Sequence, residues 1–218
     1  MDFLLYTSFG LYFVAALLYF MSFLLSKGLL SKYAYRTMLL AWGLHSALLL
    51  WKFVRSGPPF LVDEASAYLF TAWAVGLALL LLSRWIKLSL VGALILPLIH
   101  AFYILSHFKQ GNFIEQSSLL NTPWASVHLV FSFLAFALFA FSFVLGFLFL
   151  IEEFQLKYKV LPKVFLRFPS LDVLEQLHAK ALFLGFLLLS LGILTGAFWA
   201  KEVTGFYFFE DPRQLGAI

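Results

Sequence analysis

Apolar residues fill this chain in long unbroken runs, and the charged residues are confined to the gaps between them. Six runs approach or exceed the roughly 20 residues that a helix needs to cross a bilayer core. They cover residues 3–26, 33–54, 65–83, 88–108, 124–151 and 178–200. The second is strictly uncharged only over 37–51, so Arg36 and Lys52 are expected to snorkel outward from its ends. Pro97 predicts a kink in the fourth. The fifth is preceded by a polar stretch, residues 116–123, that reads as a loop and a helix start. Residues 161–170 read as a kinked connector, with Ser170 placed to cap a short helix over 171–180 and Asp172 near its positive end. The first run is too long for a signal-peptide core and lacks a cleavage pattern, so it is read as a first span. No stretch between spans is large enough to fold by itself. The pattern predicts an all-α integral membrane protein, a single transmembrane domain of about six helices, ending in an aromatic tail over 201–218.

Composition agrees and narrows the class. Hydrophobic residues make up 63% of the chain, charged residues 12%, and mean hydropathy is +0.95, which excludes a soluble domain. The absence of cysteine excludes disulfides and thiolate metal sites. The +4 net charge forms no stripe suited to phosphates, so nucleic acid is not an expected partner. Ten Lys and Arg residues fall in one set of loops and five in the other. The positive-inside rule puts the richer set in the cytoplasm and both termini on the outer side of a cytoplasmic (inner) membrane. The aromatic tail, the Gly57-Pro58-Pro59 loop and the Gly111-Asn112 loop then share the outer face. Twenty-eight phenylalanines spread around the helices leave little face information, apart from a small-xxx-small pair at Gly192 and Gly196.

Candidate chemistry rests on the few ionisable groups at membrane depth, where polar side chains are costly. His45 stands roughly 10–14 Å from either end of its span, near the midplane. His100 and His107 share one face of the fourth span, and His128 lies about 7–8 Å into the fifth. His178 marks the cytoplasmic entrance to the sixth. For each, the plain alternative is an imidazole hydrogen-bonded to a neighbouring helix, weighted most heavily for His178 beside Glu175 and Lys180. Imidazole alone does not name a metal. No His-x-x-x-His pair, nucleophilic triad, phosphate loop or mid-membrane carboxylate is present. Histidines at two depths beside the aromatic stretch that starts at Trp199 are parts that a haem with axial imidazole and ring stacking would use.

These residues carry a resemblance. Gly43 and His45, followed by Arg55, Gly57-Pro58-Pro59, Asp63, Glu64 and Trp73, resemble the histidine-bearing span and outer Gly/Pro loop of the cytochrome c assembly family (CcsA, CcmC and HemX types). The run from Trp124 to His128 resembles the family's outer histidine segment. Closest is the stretch from Pro169 through Asp172 and Gly185 to Gly192, Gly196, Trp199 and Ala200, which is similar to the family's short cytoplasmic helix and the span leading to its tryptophan-rich motif. That motif reads Trp-Gly-x-x-Trp-x-Trp-Asp-Pro; the matching positions here are Thr204, Gly205, Phe208, Glu210, Asp211 and Pro212, so its tryptophans are replaced while Phe206, Tyr207, Phe208 and Phe209 keep it aromatic.

The resemblance implies haem as cofactor or cargo, held by His45, His128, Trp124, Trp199, Gly205, Tyr207, Phe208 and Asp211. His128 and His45 are the implied iron ligands, and His100 is a further candidate. In the family, later spans carry a second outer and a second membrane histidine. Here the iron would be five-coordinate or completed by a second chain, unless the chain no longer binds haem in the family's manner. Three roles are compatible with these features: haem transport or presentation to apocytochrome c, a HemX-type regulatory protein of haem biosynthesis, and a structural membrane subunit. Expected partners are the lipid bilayer, apocytochrome c, and a second assembly subunit or a further copy of the chain. None of these roles assigns catalysis to this chain alone; at most it forms part of a haem-attachment complex.

Overall fold

A computed structural model describes residues 2–56, 64–83, 88–109, 122–158 and 169–207. Six helices account for nearly all of them: α1 (Asp2–Leu25), α2 (Gly28–Ser56), α3 (Glu64–Leu82), α4 (Leu88–Phe108), α5 (Pro123–Tyr158) and α6 (Leu171–Thr204). Each is long and apolar enough to span a membrane. This is an all-α, multi-pass membrane protein. Its exposed phenylalanines and leucines belong to the lipid-facing surface, where backbone polar groups must be satisfied within each helix.

The helices run alternately up and down. Helices α1 to α4 form one packed unit, in which α1 lies against α2 and α4, and α3 lies against α4. Its centre is filled by fully buried Tyr12, Tyr19, Met38, Leu48, Leu79, Ile95, Leu96 and Ile99. The approach of α1 to α4 depends on Gly92, where a Cβ would come within 2.7 Å of the Tyr19 ring. Helices α5 and α6 form a hairpin that joins the rest mainly through α3 and α5. Helix α6 packs chiefly on α5, so most of its apolar surface faces outward.

Polar links pin the end of the bundle at which α3 and α5 begin. Lys109 and Glu64 form an ion pair at 2.8 Å that ties α4 to α3, and Lys52 Nζ donates to Ser66 Oγ at 2.6 Å. Helix α5 starts as the sequence suggests: Pro123 takes the first turn, where its missing N–H costs nothing, and Thr122 Oγ1 accepts from the Ala125 N–H at 3.2 Å.

Two local expectations are corrected. The short helix over 171–180 is not separate, because α6 runs on without a break through Thr204. Ser170 precedes it in extended backbone and makes no side-chain capping bond, while Asp172 accepts instead from Gln176 Nε2. Helices α5 and α6 have 36 and 34 residues. At 1.5 Å rise they reach about 50 Å, well beyond a hydrocarbon core of about 30 Å. Helix α4 continues through Pro97.

Candidate haem site at one end of the α5–α6 hairpin

The site is built on two facing helix ends. Helix α5 contributes Trp124 and His128 from its first turns; α6 contributes Gly192, Gly196, Phe198, Trp199 and Lys201 from its last. Gly192 and Gly196 are one turn apart and face α5. Their missing side chains make room for specific groups: a Cβ on Gly196 would come within 2.7 Å of His128 Nδ1, and one on Gly192 within 3.0 Å of Ser132 Oγ. The imidazole therefore lies directly on the α6 backbone, with Nδ1 2.7 Å from the Gly192 carbonyl oxygen.

That contact fixes the tautomer. A carbonyl oxygen only accepts, so Nδ1 carries the proton and donates it, leaving the Nε2 lone pair for an external partner. A backbone carbonyl behind the far nitrogen is the usual support for a metal-binding imidazole. The carbonyl is itself held in place, since Thr195 Oγ1 also donates to it at 3.0 Å.

Aromatic rings surround this imidazole. Trp199 lies 5.7 Å from the His128 ring at 32°, and Trp124 stacks on Phe198 at 4.9 Å and 29°. Tyr207 meets Phe198 edge-on at 6.2 Å. Gly205 brings Tyr207 back to this position. Its φ of 82° lies in the left-handed region, and its N–H donates to the Lys201 carbonyl at 2.9 Å, which ends α6 and reverses the chain. Lys201 Nζ then donates to the Tyr207 hydroxyl at 2.6 Å and lies 4.2 Å from that ring's centroid. The result is one cation beside a partly exposed patch of rings.

The structure thus brings together His128, Trp124, Trp199, Gly205 and Tyr207. Phe208 and Asp211 lie outside the described residues. Sequence reading missed Phe198 and Lys201, which carried no motif. It saw Gly192 and Gly196 only as a packing pair, because nothing in their spacing names the imidazole that they admit.

His45 is not part of this patch. It sits inside the α1–α4 unit at 0% exposure, edge-on to Tyr12 at 6.1 Å and tilted against Tyr103 at 4.9 Å. Neither ring nitrogen has a hydrogen-bond partner in good geometry among the described residues, the Leu69 backbone being the polar group alongside. Tyr103 is occupied by Ser8 at 2.9 Å. His100 is also separate: its Nδ1 lies 2.7 Å from the Leu96 carbonyl, and its buried Nε2, beside Phe9 and Phe13, has no hydrogen-bond partner among the described residues. His107 lines an apolar cleft of about 270 Å³ between α1 and α4. His178 is paired, its Nδ1 lying 2.9 Å from both the hydroxyl and the carbonyl of Ser142. Among the described residues no three or more histidines and carboxylates gather as a metal site. Among the described residues at this end of the hairpin, His128 is the one imidazole.

Fold and site together define a multi-pass helical membrane protein with a single supported imidazole set in an aromatic surface. The sequence profile of the cytochrome c assembly protein family matches residues 61–218, and the chain belongs to that family. It is 28% identical over 209 residues to the protein HemX of Brevibacillus brevis, covering 94% of this chain and 76% of that one. It is 32% identical over 181 residues to the cytochrome c biogenesis protein CcsA of Chlamydomonas reinhardtii, covering 78% of this chain and 49% of that protein. A CcsA of Guillardia theta is 23% identical over 186 residues, 77% of this chain and 62% of its own length. The chain therefore spans about half to three quarters of the length of these relatives.

Proposed function

We propose that this chain handles haem for cytochrome c biogenesis, holding it at the α5–α6 end and presenting it to apocytochrome c. The observation that carries the reading is the His128 setting: an imidazole packed on Gly196, with Nδ1 donating to the Gly192 carbonyl and Nε2 left as an electron-pair donor near the Trp199 ring. The donor set fits an iron porphyrin, whose ring supplies the remaining in-plane ligands. Haem is the cargo, and it supplies the iron and the vinyl groups to which apocytochrome thiols add. His128 would bind the iron, Trp124, Trp199, Phe198 and Tyr207 would lie against the macrocycle, and Lys201 would attract a propionate. His45, fully buried in the α1–α4 unit with the Leu69 backbone alongside, is a second candidate ligand at membrane depth. The charge bias of the loops supports an outer-side location for the His128 end, where apocytochrome c would be met.

An absorption spectrum of the detergent-purified protein tests this. A Soret band present in the wild type, or formed on adding haem, and lost in His128→Ala is the expected result. A colourless protein that takes up no added haem overturns it. A regulatory role of HemX type is the second reading, supported by a likeness to HemX that extends over nearly the whole chain. Haem-dependent capture of a haem-biosynthetic enzyme, with no effect of the chain on apocytochrome maturation, would favour it.

A further inference from the structure

The α5–α6 hairpin carries the His128 arrangement twice. His128 on α5 has Nδ1 2.7 Å from the Gly192 carbonyl, and a Cβ on Gly196 would lie 2.7 Å from that nitrogen. His178 on α6 has Nδ1 2.9 Å from the Ser142 carbonyl, and a Cβ on Gly146 would lie 3.2 Å from that nitrogen. Positions 178, 192 and 196 each stand 50 residues after 128, 142 and 146. In an antiparallel pair this is a local two-fold relation, in which exchanging the helices exchanges the two clasps. They lie roughly 24 Å apart along the pair at 1.5 Å per residue.

The same relation shows where the two ends differ. The counterparts of Trp124, Phe198 and Trp199 are Leu174, Leu148 and Phe149, and both leucines are essentially fully buried. The His178 end has the clasp without the open aromatic patch. A second ligand site of the same kind is therefore not what it provides, and its geometry must serve the hairpin.

We propose that His178 is a positioning residue for His128. With Ser142 and Gly146 it fixes the register of α6 on α5, and that register places Gly192 and Gly196 under His128 and Phe198 against Trp124. The need for such a device follows from the fold. Among the described residues helix α6 packs chiefly on α5, so that contact is the main one that sets how far it slides. Between apolar helices in lipid, association gains little from hydrophobicity, and small residues and polar contacts decide the pairing. One polar contact leaves the pair free to pivot; two, separated by most of the bilayer thickness, fix both slide and tilt. Ser142 Oγ reinforces the far clasp by lying 3.2 Å from the His178 carbonyl, to which it donates.

The chain has no cysteine, so a cysteine pair reports register directly. Ser132→Cys with Gly192→Cys suits this, since a Gly192 Cβ would lie 3.0 Å from Ser132 Oγ. Oxidation is expected to cross-link this pair efficiently. Adding His178→Ala should cut the yield several-fold, and in the cysteine-free background it should weaken haem binding about tenfold, the lower end for loss of ligand support. His178→Asn, which keeps an N–H donor, should restore both. Gly146→Ala provides a milder push on the same ring should His178→Ala fail to fold. Full cross-linking with an unchanged Soret band and haem affinity in either variant overturns the proposal. The haem arm rests on the reading of His128 above, whereas the cross-linking arm does not: a wild type that binds no haem defeats that reading, and the cross-link yields still decide the role of His178.

Discussion

Gly196→Ala is the most direct probe of the haem-handling reading, because it adds one methyl group at the back of the His128 imidazole and leaves the ligand and the rings themselves unchanged. A Cβ at position 196 would lie 2.7 Å from His128 Nδ1 and 3.0 Å from Cε1. Ordinary contact begins near 3.4 Å, so the ring must retreat by about 0.7 Å. A retreat of that size along the bond stretches the 2.7 Å contact with Gly192 to about 3.4 Å, outside hydrogen-bonding range. Losing an interhelical hydrogen bond in a membrane costs about 0.6–1.7 kcal/mol. Replacing a helical glycine by alanine gains up to about 1 kcal/mol. Folding stability should therefore change little, while the ligand loses the group that sets its tautomer and direction. Loss of such support lowers metal affinity about 10–100-fold, or about 1.4–2.8 kcal/mol. The assay is haem titration of the purified variant, followed at the Soret band, with Gly10→Ala as control because its Cβ would meet nothing within 4 Å. Haem binding by Gly196→Ala within twofold of the wild type would refute the reasoning.

Three further outcomes follow from the same geometry. His45→Phe should hold or raise the thermal stability of the haem-free protein, because an unsatisfied buried polar ring is replaced by an apolar one, a loss of about 1–3 kcal/mol of penalty; a drop in melting temperature without haem would mean that His45 is bonded after all. Gly92→Ala should destabilise the α1–α4 contact, since its Cβ would lie 2.7 Å from the ring of fully buried Tyr19, and a detergent melting curve unchanged from wild type would show that the ring yields freely. The Lys109–Glu64 pair raises the Lys109 pKa above its ordinary value, chiefly through the hydrogen bond with Glu64. Its contribution is thus complete below the ordinary lysine pKa and is lost as pH rises through the elevated one, so melting temperature should fall above about pH 10.5 in the wild type and less in Glu64→Gln.

The architecture was legible because hydrophobic run length is a direct physical requirement of a bilayer, and a run of residues either meets it or does not. The six helices fall within a few residues of the expected spans at most ends. What run length could not show is where a helix stops after leaving the hydrocarbon, and α5 and α6 overrun through charged residues such as Lys157 and Lys201, which are good helix formers in water. Individual site residues were less legible, for a related reason. His128 and Trp124 could be named from the sequence, but their partners are 64 and 74 positions away at Gly192 and Phe198, and only the antiparallel register brings them together. The reading of His178 as hydrogen-bonded to a neighbouring helix holds, although its partner Ser142 had no signal of its own. For His45, among the described residues, neither ring nitrogen has a hydrogen bond in good geometry, the Leu69 backbone being the polar group alongside.

Of the replaced tryptophans of the terminal motif, the first falls at Thr204, inside the turn that ends α6. The reversal after α6 is made by Gly205 in its left-handed conformation and by Thr204, whose hydroxyl donates to the Ala200 carbonyl at 2.7 Å and accepts from the Phe206 N–H at 3.3 Å. None of these interactions involves an aromatic ring. The rings that flank His128 come from the helices, through Trp124, Phe198 and Trp199, and from Tyr207 after the turn. Where the family motif has tryptophan, Thr204, Phe208 and Glu210 stand here, which removes indole N–H donors and ring area. What such an exchange alters is the strength and polarity of stacking, a quantity of about 0.5–1.5 kcal/mol per ring pair, while the imidazole rests on Gly196 and its carbonyl support comes from Gly192, both within α6. The ligand position and the stacking surface are thus separable features of this end of the molecule, one set by helix approach and the other by side-chain identity.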